Sequence, residues 1–225
     1  MVTAAPNVGV LALQGNVAAH VDKLAALGAT TTSVRVPDDL VGVDALVLPG
    51  GESTTMSRLV ELAGLFEPLG DVLAAGTPVL GTCAGLIMLA TDVVDGRSDQ
   101  RTFGVLSATV RRNAYGRQNQ SFETRLALRP EQWSPHSVGM PDARGEWGTR
   151  GSAEGADADT SAVGAMTAVF IRAPRIEACA DSVTPLAEFD GHPVLVEQGS
   201  ILGATFHPEL TPDLRVHRRL LDKVH

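Results

Sequence analysis

Only two cysteines, Cys83 and Cys179, occur among the 225 residues. Two thiols cannot build a disulfide framework, which points away from small secreted scaffolds. No apolar run approaches the roughly 20 residues that a membrane span requires. The first residues, Met1-Val2-Thr3-Ala4-Ala5-Pro6, hold no positive charge leading into a long apolar stretch, so no secretory leader is expected and the chain reads as cytoplasmic, without membrane contact. Basic charge is scarce as well: 18 Lys and Arg stand against 26 Asp and Glu, for a net charge of −8. That balance lacks the basic footprint of a nucleic-acid binder. No second histidine or cysteine pair stands at ligand spacing near the His-x-Glu pair at residues 207–209, so no metal site is expected. Neither a phosphate loop nor an internal repeat is found.

What is present fits an α/β unit. With 44% hydrophobic and 20% charged residues, a chain of this length can bury a sizeable core without splitting, so one domain over residues 1–225 is expected. Val8-Gly9-Val10-Leu11-Ala12-Leu13 is a continuous apolar run, as in a strand buried on both faces of a parallel sheet, and it stops at Gln14-Gly15-Asn16. A helix should follow, capped by Asn16, with Val17, Val21, Leu24 and Leu27 at helical spacing and Gly28 past its end. Thr30–Val36, rich in β-branched residues, is the next strand, and Ala45–Leu48 the third. The third runs into Pro49-Gly50-Gly51-Glu52-Ser53, after which Thr54–Ala63 and Leu65–Ala75 read as helices. Val79-Leu80 then enters Gly81-Thr82-Cys83-Ala84-Gly85 and leaves as Leu86-Ile87-Met88, a strand, a sharp turn and a helix with the cysteine at the turn. Strands alternating with helices predict a doubly wound sheet whose ligand site lies at the carboxyl ends of the strands. The loops at Gln14-Gly15, Pro49–Glu52 and Cys83 should converge there.

Beyond Ala90 the pattern changes to short alternating strands at 104–112, 121–128, 167–171, 185–189, 194–198 and 201–205. Asp190-Gly191 and Gly199-Ser200 read as hairpin turns, so the sheet should be mixed. Residues 129–164 are rich in Gly, Ser, Asp, Glu and Arg with little periodicity, and read as a long surface insertion. Thr211-Pro212-Asp213 caps a final helix on which Leu214, His217, Leu221 and Val224 share a face.

Two stretches carry chemistry. Cys83 stands where free N–H groups and the helix dipole favour an anion, and its flanking glycines let the backbone bend. A small buried core cysteine would fit the same pentapeptide. The run Ile201–Phe206 delivers His207-Pro208-Glu209, and in an extended segment residues two apart point the same way, so Glu209 can orient the His207 ring. Cysteine, histidine and carboxylate are the parts of a nucleophilic triad, although His-x-Glu also occurs as a metal half-site or a surface pair. Gly50-Gly51 lets backbone approach a ligand, or forms an ordinary turn. His20, His136, His192, His217 and His225 are scattered and read as structural or solvated, and Cys179 as a core residue.

Together, Leu11–Gly15, Leu48–Thr55, Gly81–Gly85, Gln118–Glu123, Phe170–Pro174 and Phe206–Leu210 resemble, in order and spacing, the glutaminase subunits of pyridoxal phosphate synthase. Gly-x-Cys-x-Gly with His-x-Glu resembles class I glutamine amidotransferases at large, whereas Gln-Ser-Phe-Glu and Phe-Ile-Arg-Ala-Pro resemble this group in particular. The departure is the 129–164 stretch, longer than the linker usual there. The resemblance implies a flavodoxin-like class I glutamine amidotransferase fold and hydrolysis of L-glutamine through Cys83, His207 and Glu209. It implies a glutamine site lined by Gly50, Gly51, Glu52, Arg112, Ile171 and Arg172, an oxyanion held by the backbone N–H groups of Gly51 and Ala84, and no cofactor. It also implies a hetero-oligomeric complex with a (β/α)8-barrel synthase subunit, which takes up the ammonia and builds pyridoxal 5'-phosphate. Two other readings stay open on the residues: a glutaminase serving a different acceptor, and a non-catalytic binding module on the same fold.

Overall fold

The computed structural model describes residues 4–97, 99–115, 121–129, 132–133 and 164–224. Its first half runs β1 (Asn7–Leu11), α1 (Val17–Ala26), β2 (Thr30–Val34), β3 (Ala45–Leu48), α2 (Ser53–Leu62), α3 (Phe66–Ala74), β4 (Val79–Thr82) and α4 (Ala84–Leu89). There follow β5 (Ala90–Val94), β6 (Leu106–Tyr115), β7 (Ser121–Ala127), β8 (Ala165–Ile171), β9 (Ala173–Cys179), β10 (Thr184–Phe189), β11 (His192–Gln198), β12 (Ile201–Ala204) and α5 (Arg215–Leu221). Seven strands form the main sheet in the order β10-β11-β12-β4-β3-β1-β2. The pairs from β12 to β2 are parallel, and β10-β11 and β11-β12 are antiparallel. The mixed α/β sheet expected from the sequence is therefore present.

Alternation along the central strands divides the interior in two, because successive side chains point to opposite faces of a sheet. Val8, Val10, Ala45, Val47, Leu80, Leu202 and Ala204 face one core, closed by Leu24 of α1 and by Val216 and Leu220 of α5. Leu11, Leu46, Leu48 and Val79 face the other, closed by Met56 and Val60 of α2, Leu69 of α3 and Leu86 and Leu89 of α4. Continuous apolar runs are what such two-faced burial requires.

Helix α4 packs closely on the sheet, backbone against backbone at Gly85 and through its leucines at Gly81 and Gly203. A Cβ on Gly85 would lie 1.9 Å from the Leu48 carbonyl oxygen, and Cβ atoms on Gly81 and Gly203 would each meet a leucine of α4 at 2.6 Å. The glycines around Cys83 thus serve close helix–sheet contact, while the positive φ of the bend falls on Cys83 itself. Two smaller sheets, β5-β6-β9 and β7-β8, flank the main one. In the latter, Phe122 pairs with Phe170 across the ribbon and stacks on it at 4.8 Å between ring centroids.

Several boundaries differ from the sequence reading. Strand β1 ends at Leu11 although the apolar run continues to Leu13, and β2 stops at Val34 because Asp39 accepts the N–H groups of Arg35 and Val36 and turns the chain at Pro37. Helix α4 has only six residues and passes directly into β5, a strand that the sequence reading does not contain. The buried face of α5 is Val216, His217 and Leu220; Leu221 and Val224 pack beside it, and Leu214 is the N-cap. Trp133, inside the stretch read as a surface insertion, is buried in the first core. Most of that stretch, with His136, His225 and Gln118–Gln120, lies outside the described residues.

The glycine contacts predict opposite outcomes for two substitutions. Gly85→Ala forces α4 off β3 and should cost about 1–3 kcal/mol or more, as overpacking of a tight interface does. Gly70→Ala, inside α3 with nothing within 4 Å of the new methyl, should add about 0.5–1 kcal/mol. Urea unfolding checks both, and a Gly85→Ala midpoint at or above that of the parent chain would overturn the packing argument.

Candidate active site

Cys83 sits between β4 and α4 with φ 49° and ψ −101°. A non-glycine residue in that region is strained, as at the nucleophile elbow of hydrolase folds, and the flanking close contacts hold it there. Its N–H donates to the Ala204 carbonyl at 2.8 Å, which ties the turn to the end of β12. Because β12 runs parallel to β4, with Ala204 opposite Thr82, the chain leaving β12 emerges beside Cys83. Phe206 anchors that exit among aromatic rings, 5.8 Å from the Phe170 centroid, and the His207 N–H donates to Val169 of the β7-β8 ribbon at 2.9 Å.

His207 stands between Cys83 and Glu209 and is hydrogen-bonded to the latter, with Nδ1 2.8 Å from Glu209 Oε1. Burial alone would push the imidazolium down, but its interactions with Cys83 and Glu209 and their charges outweigh it and raise His207 to about 10. Burial pushes the Glu209 carboxyl up, yet the His207 bond and the neighbouring histidines bring it below its ordinary value. The pair is therefore held as imidazolium and carboxylate. Pro208–Leu210 forms a 3-10 turn rather than an extended segment, so Glu209 reaches the ring by curling back beneath it. Gly50 lies against this group: a Cβ there would sit 2.4 Å from His207 Cε1 and 3.3 Å from the Cys83 Cβ.

A cavity of about 240 Å³ opens in front of Cys83 and His207, lined also by Gly51, Glu52, Arg112, Ile171 and Arg172. Drug-sized ligands occupy about 300–1,000 Å³, so this space suits a small metabolite. Glu52 caps α2 by accepting the N–H groups of Thr54 and Thr55, and its Oε1 lies 2.6 Å from Arg112 Nη2. Partial burial pushes its carboxyl up, but the bonds from Thr55 and Thr54 prevail and hold it at about 2. The cavity thus presents a cation and an anion side by side. Arg112 is aimed there by a bulge, since β6 advances four residues from Arg111 to Tyr115 while β9 advances two. Three strained residues line the same wall, Cys83, Asn113 and Arg172, all at positive φ.

Of the residues named from the sequence, Cys83, His207, Gly51, Glu52, Arg112, Ile171 and Arg172 meet at one cavity, Gly50 backs the Cys83–His207 contact, and Glu209 stands behind His207. Ala84 opens α4 next to Cys83. Sequence reasoning missed Ser53, Ile87 and Asn113, which also line the cavity. The Ser53 Oγ is buried without a partner. Ser53 follows Gly-Gly-Glu and Asn113 follows Arg112, so adjacency was the available signal. It also missed His20, whose Nε2 is 3.5 Å from Glu209 Oε2 and which nothing in its local pattern distinguishes from a core residue.

Comparison with known proteins agrees with this geometry. The chain is 46% identical to the pyridoxal 5'-phosphate synthase subunit PdxT of Mycobacteroides abscessus, over 97% of both chains, and 46% identical to that of a Parafrankia species, over 98% of this chain and 94% of the relative. A crystal structure of a glutamine amidotransferase, 37% identical, superposes with a TM-score of 0.77 over 96% of this chain and 98% of that one. A putative GMP synthase component from Thermoplasma acidophilum, at 18% identity and a TM-score of 0.62 over 99% and 95% of the two chains, shares the fold. With residues 10–132 and 142–225 matching that family's pattern, the chain belongs to the SNO glutamine amidotransferase family.

Proposed function

We propose that the chain hydrolyses L-glutamine to L-glutamate and ammonia, and passes the ammonia to a (β/α)8-barrel synthase partner that builds pyridoxal 5'-phosphate. The observation that carries this reading is the alignment of Cys83, His207 and Glu209 on a small cavity holding an Arg–Glu pair. Relatives 46% identical over nearly the whole chain bear the name of a pyridoxal 5'-phosphate synthase subunit, which supports the pathway. In this reading residues 1–225 are one cytoplasmic glutaminase domain, with 129–164 as its insertion.

The substrate is a zwitterion, and the cavity is charged to receive one. Its α-carboxylate takes the Arg112 guanidinium and its α-ammonium the Glu52 carboxylate, each partly displacing the pair that Arg112 and Glu52 make with each other. The carboxamide then lies at Cys83, whose sulfur attacks the amide carbon. Negative charge moves to the amide oxygen, where the backbone N–H groups of Gly51 and Ala84 receive it. His207, held protonated, gives its proton to the departing ammonia and becomes a base. It then draws a proton from water, which adds to the glutamyl thioester and releases glutamate and the thiolate. Glu209 keeps the ring oriented and stabilises its charged form at both stages. Ammonia is useful only if it reaches an acceptor before solvent, which is the chemical reason for a docked partner.

Glutamate release by the purified chain, with and without a pyridoxal 5'-phosphate synthase subunit, tests the reading. Activity should rise with the partner, and Cys83→Ala should lower it by about 10⁴-fold or more; glutamate production that survives in the variant would sink the mechanism. Arg112→Gln should raise KM for glutamine about 10- to 100-fold, the worth of a hydrogen bond to a charged group, with a smaller change in kcat. Glu209→Gln removes the anion that raises His207, so its imidazolium deprotonates at lower pH. The alkaline limb of the pH–rate profile should therefore move toward neutrality as the rate falls by up to about 10²- to 10⁴-fold. An unmoved limb would show that Glu209 does not govern His207.

A further inference from the structure

Glu209 gives one carboxylate oxygen to His207. The other, Oε2, is fully buried and has no hydrogen-bond partner among the described residues. A buried carboxylate oxygen without a donor is costly, so what faces it matters. The facing group is His20, from the middle of α1, with Nε2 3.5 Å from Oε2 and also 3.5 Å from Thr82 Oγ1. Behind it stands His217 of α5, with Nε2 2.9 Å from His20 Nδ1. All three side chains are buried.

The placement of protons selects one arrangement for this row. Between His20 Nδ1 and His217 Nε2 one nitrogen must donate and the other accept. If His20 donated, His217 would carry its own proton on Nδ1, which is buried without a partner, and His20 would turn a bare nitrogen toward the Glu209 carboxylate. If His217 donates, both faults vanish: its Nδ1 is an unprotonated nitrogen needing no acceptor, and His20 presents an Nε2–H between Thr82 Oγ1, its hydrogen-bond partner, and Oε2. Both rings then stay neutral, as their burial favours; His20 is lowered to about 4, burial outweighing the attraction of Glu209, and His217 falls well below its ordinary value. Two cations further disfavour charge on this row: the His207 imidazolium acts on His20, and Lys23 of α1, which donates to the Thr211 carbonyl, acts on His217.

We propose that His20 is a positioning residue for the reaction, a neutral donor from α1 that holds the Glu209 carboxylate in its ionised, ring-facing orientation, with His217 fixing the His20 tautomer. This rests on the glutaminase reading for its kinetic consequence but not for its geometry. His20 does not line the cavity; it faces Glu209 and is also bonded to Thr82, next to Cys83, so the test must separate these two routes. A neutral donor suits the place: it stabilises the anion without adding a second buried cation to compete with His207 for it.

The test is a double-mutant cycle on the full chain, with glutamate release measured in the presence of the synthase partner. His20→Ala should lower kcat about 10- to 100-fold, as loss of an orienting partner does, and leave KM for glutamine in place. The Glu209 carboxyl is held below its ordinary value and its function is lost as pH falls through it, so removing the donor should move the acid limb of the profile to higher pH. His20→Gln, whose amide can donate, should recover much of the loss. In a Glu209→Gln background His20→Ala should cost nothing further, whereas losses that multiply would mean that His20 acts independently of Glu209 and would overturn the proposal. A second arm needs no activity: the imidazole nitrogen resonances should show His20 neutral and protonated on Nε2 at pH 7. A charged His20 or the Nδ1–H tautomer overturns the inference. If the parent chain releases no glutamate in any state, the glutaminase reading fails, and the resonance arm still decides whether His20 donates to Glu209.

Discussion

Helix α4 lies so close to strand β3 that one methyl group on Gly85 would sit 1.9 Å from the Leu48 carbonyl oxygen, and most of the site depends on that closeness. Backbone against backbone leaves the chain between β4 and α4 almost no length in which to turn, and Cys83 takes up the turn at positive φ. The same contact sets α4 over the parallel centre of the sheet, where β12 must also end. Cys83 and His207 are thus delivered by neighbouring parallel strands, one ending just before Cys83 and the other a few residues before His207. Strain at the cysteine, of order 1–3 kcal/mol for such conformations, is offset by burial of the apolar residues on both sides of α4.

A second constraint is electrostatic. Burying a carboxylate costs several kcal/mol unless its charge is matched and its oxygens receive protons. Glu209 meets that demand on one oxygen with the His207 imidazolium, so each member of the pair stabilises the charge of the other. Its neighbourhood recruits α1 and α5, helices on the face of the sheet opposite α4, which places part of the site's electrostatics in what would otherwise be ordinary core. The opposite wall of the cavity works differently. Glu52 and Arg112 are partly exposed and paired with each other, so neither charge stands isolated in the cavity.

How much of this was legible follows from the range of each interaction. The alternation of strands and helices, the convergence of the loops after β1, β3 and β4, and the two stretches holding Cys83 and His207-x-Glu209 were readable because each rests on a short run of residues. The existence of β5 was not, because α4 ends after six residues by docking on the sheet, not by any local stop signal. The α5 face was shifted because burial there is decided by β4 and α1, against which the helix packs, and not by its own spacing. Trp133 looked like part of a polar stretch; its burial against the first core, beneath the Arg219 guanidinium, depends on residues far along the chain.

The sequence by itself determined the chemistry available: one cysteine between two closely spaced glycines, one His-x-Glu pair at the end of an apolar run, and an excess of acidic over basic residues. Tertiary structure decided which groups meet. The distance between Cys83 and His207 along the chain is bridged by the β4–β12 pairing, Arg112 and Asn113 reach the cavity only through the bulge between β6 and β9, and His20 meets Glu209 only because α1 and the 3-10 turn pack on the same face of the sheet. Local patterns record what a residue can do. Hydrogen-bond register and two-sided burial, which couple positions more than a hundred residues apart, settle what it does it to.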